Sequence, residues 1–452
     1  MSTYRTSFMV TRYKDGHNWV LYNWLNTSNV IFDDPSHPFY TILENRIESF
    51  APFEVNGDRS DFDYLVSEKF IVQDQDEVRA EVQRIYESII NRKEHLSLTL
   101  LPVGQECNFN CTYCAQKHDG TVRMGDKDVD ILRRFIMKNP VKTLRIDYFG
   151  GEPLMNPEFI MKCNSMVRDI SREVGFVFLG SSVTTNGYLL DIDLFKDLYS
   201  SKVINYQITL DGLPEIHDRM RPLSDGSGTF DRIYTNLLAI SALDDSYDFS
   251  ISLRINFNRS TLDPDHRSAF IDKLRPFLND KRFKVMPQAI ENWRRENRVD
   301  FYCGDDEKIL FQHTLEDELE SLGFYTVGTV LFADPGSHSC YCSKPNNFVV
   351  FPADEDTERM KIQKCTREIY TPENDVGYID ADGDIHFNSN LDIWVGHQPF
   401  EEEKCRNCFL VLHCFGNSCP YNNWEHGRKI CTPIKNHELY YAKRIMGFIA
   451  KH

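Results

Sequence analysis

Cys107-Asn108-Phe109-Asn110-Cys111-Thr112-Tyr113-Cys114 decides the reading of this chain. Three cysteines fall at C-x3-C-x2-C, with an aromatic residue just before the last. Thiolates favour soft metals such as iron–sulfur clusters. A four-iron cluster normally takes four cysteines, so a local three leaves one iron open for a substrate or cofactor. The preceding run, His-Leu-Ser-Leu-Thr-Leu-Leu-Pro-Val at 95–103, is apolar and reads as a strand. The three cysteines therefore sit on a loop leaving a strand end, where α/β folds place their chemistry.

C-x3-C-x-aromatic-C after a first strand resembles the radical S-adenosylmethionine (SAM) enzymes. A zinc knuckle is the alternative, with His118 as its fourth ligand. Zinc sites usually pair one C-x2-C with another, or with two histidines, and that partner is absent nearby.

Composition sets the frame. A chain of 452 residues is long for one domain, and two or three are expected. No apolar run approaches the ~20 residues needed to span a bilayer, and the first residues lack a secretion signal pattern. The expectation is a soluble cytoplasmic protein with no membrane partner. A net charge of −17 argues against a general nucleic-acid binder. Thirteen cysteines without a secretion signal point to metal or redox use rather than disulfides. All but Cys163 and Cys303 fall within 107–114 and 340–431, and those two read as small buried hydrophobes. Oxygen-sensitive clusters imply an anaerobic or low-oxygen setting.

Residues 1–92 read as a separate module: short strands at 7–10, 19–24 and 29–32, then helices at 37–49 and 61–66. This order resembles the winged-helix element with which some peptide-modifying enzymes hold a leader peptide as an added strand. An amphipathic helix at 76–93 follows, with Val78, Val82, Ile85 and Ile89 as its packing stripe. From 93 to 325 strands and helices alternate. Strands are expected at 96–103, 143–149, 177–185, 203–210, 249–257 and 283–288, with helices between them. Six βα units predict an α/β fold, a partial (β/α)6 barrel open enough to admit a peptide.

Tyr148-Phe149-Gly150-Gly151-Glu152-Pro153 closes the second strand. Paired glycines let backbone approach a ligand closely. One strand after the cysteines, this turn resembles the methionine-amine site of radical SAM enzymes, with Glu152 and the backbone carbonyls meeting the amine. Thr184 ends the third strand. In that resemblance Thr209, at the fourth strand end, and Arg221 engage the SAM carboxylate, with Arg219 as rival. Arg254 and Asn256 interrupt an apolar fifth strand, either as a lumen site or as structural hydrogen-bond partners. Val285 and Met286 flank the adenine or pack the core.

The last third, 326–452, changes character after a turn at 334–337. It carries Cys340, Cys342, Cys365, Cys405-x2-Cys408-x5-Cys414-x4-Cys419 and Cys431. The pattern resembles the SPASM domain, which holds two auxiliary four-iron clusters. A zinc-ribbon pair is the alternative. The resemblance gives Cys405, Cys408, Cys414 and Cys431 to one cluster. It gives Cys342 (or Cys340), Cys365 and Cys419 to the other. The chain departs from that pattern in its x4 gap before Cys419 and in Met360, where a glycine belongs.

Taken together, the resemblance implies three [4Fe-4S] clusters, SAM and a 5′-deoxyadenosyl radical. It also implies an external electron donor such as flavodoxin or ferredoxin, and a ribosomally made precursor peptide with a leader. The expected reaction joins a Cys sulfur to a carbon of that peptide, as in sactipeptide and ranthipeptide synthases. Rival expectations are a formylglycine-forming sulfatase maturase, a peptide C–C cyclase and a non-catalytic metal-binding peptide scaffold. Thr366, after Cys365, stands where the maturases place an Asp base.

Overall fold

The computed structural model describes residues 2–449 except 93, 119–121, 262, 293–300, 328–334, 338, 396–397 and 417. For residues 260, 433–434, 439, 445 and 447–449 only the backbone is described. The expected turn at 334–337 begins at Asp334, outside the described residues. The chain forms two compact units. One comprises 1–92, 329–344 and 395–452, and the other 93–328 and 345–394.

In the first unit, β1 (Arg5–Thr6) pairs with β5 (Ile71–Val72). A three-stranded antiparallel sheet runs β2 (Val10–Asp15), β3 (Asn18–Asn23), β4 (Asn29–Phe32). The strand expected at 7–10 instead starts at Val10 and runs to the Gly16 turn. Its sequence, Val-Thr-Arg-Tyr-Lys-Asp, is charged because it has no fully buried position. Helices α1 (Pro38–Glu44), α2 (Ser60–Ser67) and α3 (Gln75–Ile90) follow. Period-two alternation sends neighbours in β3 to opposite faces. Leu21 joins a core with Phe39, Leu43, Phe62 and Phe70. Tyr22 joins Val78 and Val82 of α3 in a second core, completed by Leu410, Val411 and Phe415. The α3 stripe is thus packing, and Asp74 caps the helix through the Asp76 N–H.

In the second unit, six parallel strands lie side by side in chain order. They are β6 (His95–Leu100), β7 (Thr143–Tyr148), β8 (Val177–Thr185), β9 (Val203–Thr209), β10 (Ser250–Phe257) and β11 (Phe283–Ala289). Short β12 (Tyr325–Thr326) adds beyond β11. On the other side β13 (Asn347–Ala353) lies parallel to β6. The antiparallel β14 (Met360–Gln363), β15 (Asp375–Ile379) and β16 (Ile385–Phe387) complete an 11-stranded sheet. The helices between the parallel strands are α4 (Asp126–Lys138), α5 (Pro157–Val174), α6 (Ile192–Ser200), α7 (Pro214–Met220), α8 (Phe230–Ser241) and α9 (Pro264–Leu274). α10 (Asp305–Ser321) connects β11 to β12. Right-handed crossovers between neighbouring parallel strands put their helices on one face.

That one-sidedness is written in the strands. Leu98, Leu100, Ile146, Tyr148, Ile208, Leu253 and Val285 are buried. Their alternates Thr99, Asp147, Ser182, Gln207, Arg254 and Gln288 are half-buried. Parallel sheets buried on both faces show continuous apolar runs instead. One face of this sheet is therefore polar, and the functional groups collect at its C-terminal strand ends. Val285 lies on the buried face and Met286 on the polar one, beside Arg254. Among the described residues no helix is long and apolar enough to cross a membrane.

Candidate functional site

The three-cysteine loop leaves β6 at Leu100 and is held from two sides. On one side the Gly151 N–H donates to Gly104 O at 3.1 Å and the Glu152 N–H to Glu106 O at 2.8 Å. The glycine pair is required by this approach. A Cβ on Gly150 would lie 2.3 Å from Gly104 O, and one on Gly151 would lie 1.8 Å from Glu106 O. On the other side the loop pairs with the chain leaving α7. Asn110 N–H donates to Pro222 O and Thr112 N–H to Met220 O, each at 2.9 Å, and Phe109 bridges Leu223.

Between these supports the thiols sense one another. Burial pushes Cys107 up to about 12, helped by the nearby Glu152, Cys111 and Cys114. Burial pushes Cys111 up to about 11, with Arg221 opposing and Cys114 and Asp211 reinforcing. Cys107 and Cys111, both pushed up beside a third thiol, are poor neighbours as bare thiolates. A cationic iron–sulfur core reverses that penalty, because a metal deprotonates its thiol ligands outright. The donor set therefore fits a cluster. Among the described residues no three His, Cys, Asp or Glu side chains converge on a single ion; a cube of irons spreads its ligands more widely than one ion does. The His118 imidazole Nε2 lies 3.4 Å from Cys114 Sγ.

Behind the loop a polar network is built on Tyr113. Its hydroxyl donates to Asp211, just past the end of β9, and accepts from Arg221 Nη1 at 2.8 Å and Asn256 Nδ2 at 3.0 Å. Asp211 also accepts the Asn256 N–H at 3.1 Å. Burial opposes the Arg221 charge, but Tyr113, Cys111 and Asp211 outweigh it and raise its pKa. Burial pushes the Asp211 carboxyl upward against the pull of Arg221. His217 is lowered by burial and by Arg221, hence neutral. Its Nδ1 accepts the Asp211 N–H, which leaves the ring proton on Nε2.

Arg254, beside Thr209 in the sheet register, donates to Asn256 Oδ1 at 2.7 Å. Burial first, then Arg367, lower its pKa to about 10. Two arginines thus flank one carboxylate, which leaves this strand end disposed toward a further anion.

The structure distributes the other expected residues unequally. Arg221 is buried and joins the network, whereas Arg219 is exposed. Thr209 ends β9 and is buried. Glu152 is fully buried and committed inward: it accepts the Leu154 N–H, the Thr185 hydroxyl and the Asn186 N–H. Its carboxylate ties the glycine turn to the end of β8. Thr185, not Thr184, makes that contact; Thr184 lies on the polar face of the sheet. Pro153 opens the short turn that follows.

Sequence reasoning missed Asp211 as the centre of the network. Its signal was an acid at a strand end, followed ten residues later by Arg221. It also missed Tyr370, whose hydroxyl donates to Gln105 and accepts the Lys117 N–H, bracing the cluster loop from beyond β14.

In the other unit, Cys405, Cys408, Cys414 and Cys431 line one small cavity. Burial pushes Cys405 up to about 11 and Cys414 up to about 12, and the neighbouring cysteines reinforce both. Four thiols around one cavity fit a metal cluster by the same reasoning. Cys340, Cys342 and Cys419 belong to this unit, and Cys365 to the other.

Residues 101–248 match the radical SAM superfamily. The chain is 25% identical over 201 residues to a cysteine-type anaerobic sulfatase-maturating enzyme of Clostridium novyi, covering 42% of this chain and 50% of that one. It is 31% identical over 118 residues to a tungsten-containing aldehyde ferredoxin oxidoreductase cofactor-modifying protein of Pyrococcus furiosus, covering 25% of this chain and 30% of that one. The chain thus spans half or less of the length of these curated relatives. A solved structure of anSMEcpe with bound AdoMet and the Cp18Cys peptide shares the fold. Its TM-score is 0.59 at 17% identity, over 79% of this chain and 99% of that one. Residues 101–248, the stretch that matches the radical SAM superfamily, hold the three-cysteine loop, the glycine turn, and Tyr113, Asp211 and Arg221 of the polar network.

Proposed function

We propose that the chain is a radical SAM enzyme that closes thioether crosslinks, Cys sulfur to carbon, in a ribosomally made precursor peptide. The observation that carries this reading is the set of three neighbouring thiols, Cys107, Cys111 and Cys114, on the loop that leaves β6 at the C-terminal strand ends. Cys107, Cys111 and Cys114 would hold a [4Fe-4S] cluster. The Gly150–Gly151 backbone, Thr209, Arg221 and Arg254 would meet the amino and carboxylate groups of SAM, with Tyr113 and Asn256 fixing the loop. When bound, these groups supply the one-electron chemistry that removes a substrate hydrogen atom.

The chain's own residues place and enclose. Glu152 and the glycine pair set the height of the cluster loop. Arg221 and Arg254 supply the positive charge that an anionic cofactor group requires. The polar face below offers hydrogen-bonding partners to an extended peptide. Residues 1–92 offer the outer edge of β4 for a leader strand, since β3 is already paired on both sides. Cys405, Cys408, Cys414 and Cys431 would hold an auxiliary cluster that carries electrons away from the oxidised substrate.

A second reading has specific support: a sulfatase-maturase-type oxidation, favoured by the Clostridium novyi match. Thr366 after Cys365 counts against it. Anaerobic incubation of the iron-loaded chain with SAM, dithionite and candidate peptides separates the two. A cysteine-rich precursor losing a hydrogen pair per crosslink, with a thiol no longer alkylatable, supports thioether formation. Formylglycine from a sulfatase peptide supports the alternative.

A further inference from the structure

The cavity lined by Cys405, Cys408, Cys414 and Cys431 is also lined by Lys404, Lys429 and Lys435. No carboxylate lines it among the described residues. The contrast with the whole chain is sharp, since Asp and Glu number 68 against 51 Lys and Arg. Two of the lysines are fastened by the cavity's own backbone. Lys404 Nζ donates to Lys429 O at 2.6 Å, and Lys429 Nζ lies 3.4 Å from Gly416 O. Lys429 and Lys435 are half-buried, where a charge is screened less than at the open surface. Burial lowers Lys429 to about 8, so it carries its charge only below that pH. Two of the three charges reach the thiols: Lys404 favours the Cys405 thiolate and Lys435 the Cys408 thiolate.

On the reading of this cavity as an iron–sulfur site, we infer that Lys404, Lys429 and Lys435 form a cationic collar that raises the reduction potential of its cluster. The step is a one-electron reduction. A low-potential carrier (dithionite in the test) is oxidised, and the electron stays on the cluster, so no bond or proton need move. The added electron makes a thiolate-ligated cluster more anionic, and nearby fixed positive charge stabilises that form more than the oxidised one. Potentials of such clusters respond to net charge, hydrogen bonds and exposure. The collar thereby sets this site apart as an electron acceptor. Removing a lysine charge shifts its potential in one direction only, toward more negative values.

The test uses the full chain, reconstituted anaerobically, in a Cys107/Cys111/Cys114→Ala background that silences the loop site. Iron and sulfide are counted, and the reduced cluster is titrated potentiometrically by electron paramagnetic resonance. The signal of this cavity is the one that disappears on Cys414→Ala. Lys404→Met, Lys429→Met and Lys435→Met, read separately, should each move that signal's midpoint negative at unchanged iron and sulfide. Lys435→Arg, which keeps the charge, should restore the parent value. Midpoints unchanged in all three Met variants with the cluster intact overturn the collar. A parent protein whose iron, sulfide and signal do not change on Cys414→Ala overturns the cluster assignment, and the collar with it.

Discussion

The Tyr113 hydroxyl donates a hydrogen bond to the Asp211 carboxylate. The residue immediately before the third cysteine is thereby fastened to the end of β9, across 98 positions of sequence. The cluster loop is fixed by a buried polar bond, not only by the geometry of its own turn.

Tyr113→Phe removes that bond while keeping the ring. It leaves the Asp211 carboxylate without its hydroxyl donor and Arg221 Nη1 and Asn256 Nδ2 without their acceptor. A stranded buried polar group costs about 1–3 kcal/mol. Urea unfolding should show a loss of that order. The KM for SAM should rise more than kcat falls, because Arg221, which we propose meets the cofactor's carboxylate, loses its orientation.

Gly151→Ala should be severe. The new methyl would sit 1.8 Å from the Glu106 carbonyl, and backbone cannot step aside as a side chain can. Overpacking costs about 1–3 kcal/mol, occasionally more. The loop must lift off the turn, so iron uptake by Cys107, Cys111 and Cys114 should fall. Iron analysis in a Cys414→Ala background reads this directly. Gly125→Ala, where a Cβ meets nothing within 4 Å, is the control and should load normally.

Asp128 gives a pH signature. Burial raises its pKa, although it accepts the Ala353 and Gly125 N–H groups at 2.7 and 2.8 Å. A carboxyl whose folded pKa is raised binds more protons folded than unfolded. Its contribution is full below the unfolded value of about 3.9 and is lost as pH rises through the folded value. Asp128→Asn abolishes that titration. The stability of the variant relative to wild type should therefore climb as pH is raised from about 4 upward, in urea unfolding at a series of pH values.

Cysteine roles separate by iron count. Cys405→Ala or Cys414→Ala should remove about four irons per chain, one cluster. Cys163→Ala should remove none, because Cys163 is fully buried within α5, with its thiol hydrogen-bonded to the Tyr148 hydroxyl. Equal iron loss from Cys163→Ala would contradict the division between ligating and packing cysteines.

Much of the fold was legible because periodicity and function coincide. Apolar alternates such as Leu98, Ile146 and Ile208 mark the strands of the parallel sheet, and their polar partners mark its second, polar face. Cys107 to Cys114 and Gly150–Gly151 were readable because local spacing carries their chemistry. Three features were not. The strand Val10–Asp15 hides in a charged run because it has no fully buried position. The inward commitment of Glu152 depends on Thr185 and Asn186, 33 and 34 residues away, which local sequence cannot show. Asp211 gains its role only when the strand ends bring Tyr113, Arg221 and Asn256 together. The lysines around the four-cysteine cavity are likewise a product of tertiary placement, scattered as single charges from 404 to 435.

The central claim is that Cys107, Cys111 and Cys114 make this chain a SAM-cleaving enzyme. The direct measurement is chromatographic detection of 5′-deoxyadenosine after anaerobic incubation of the iron-loaded chain with SAM and dithionite. Wild type should form it, and the variant with all three cysteines changed to Ala should form none. No 5′-deoxyadenosine from the loaded wild type, or equal amounts from the variant, would contradict the account.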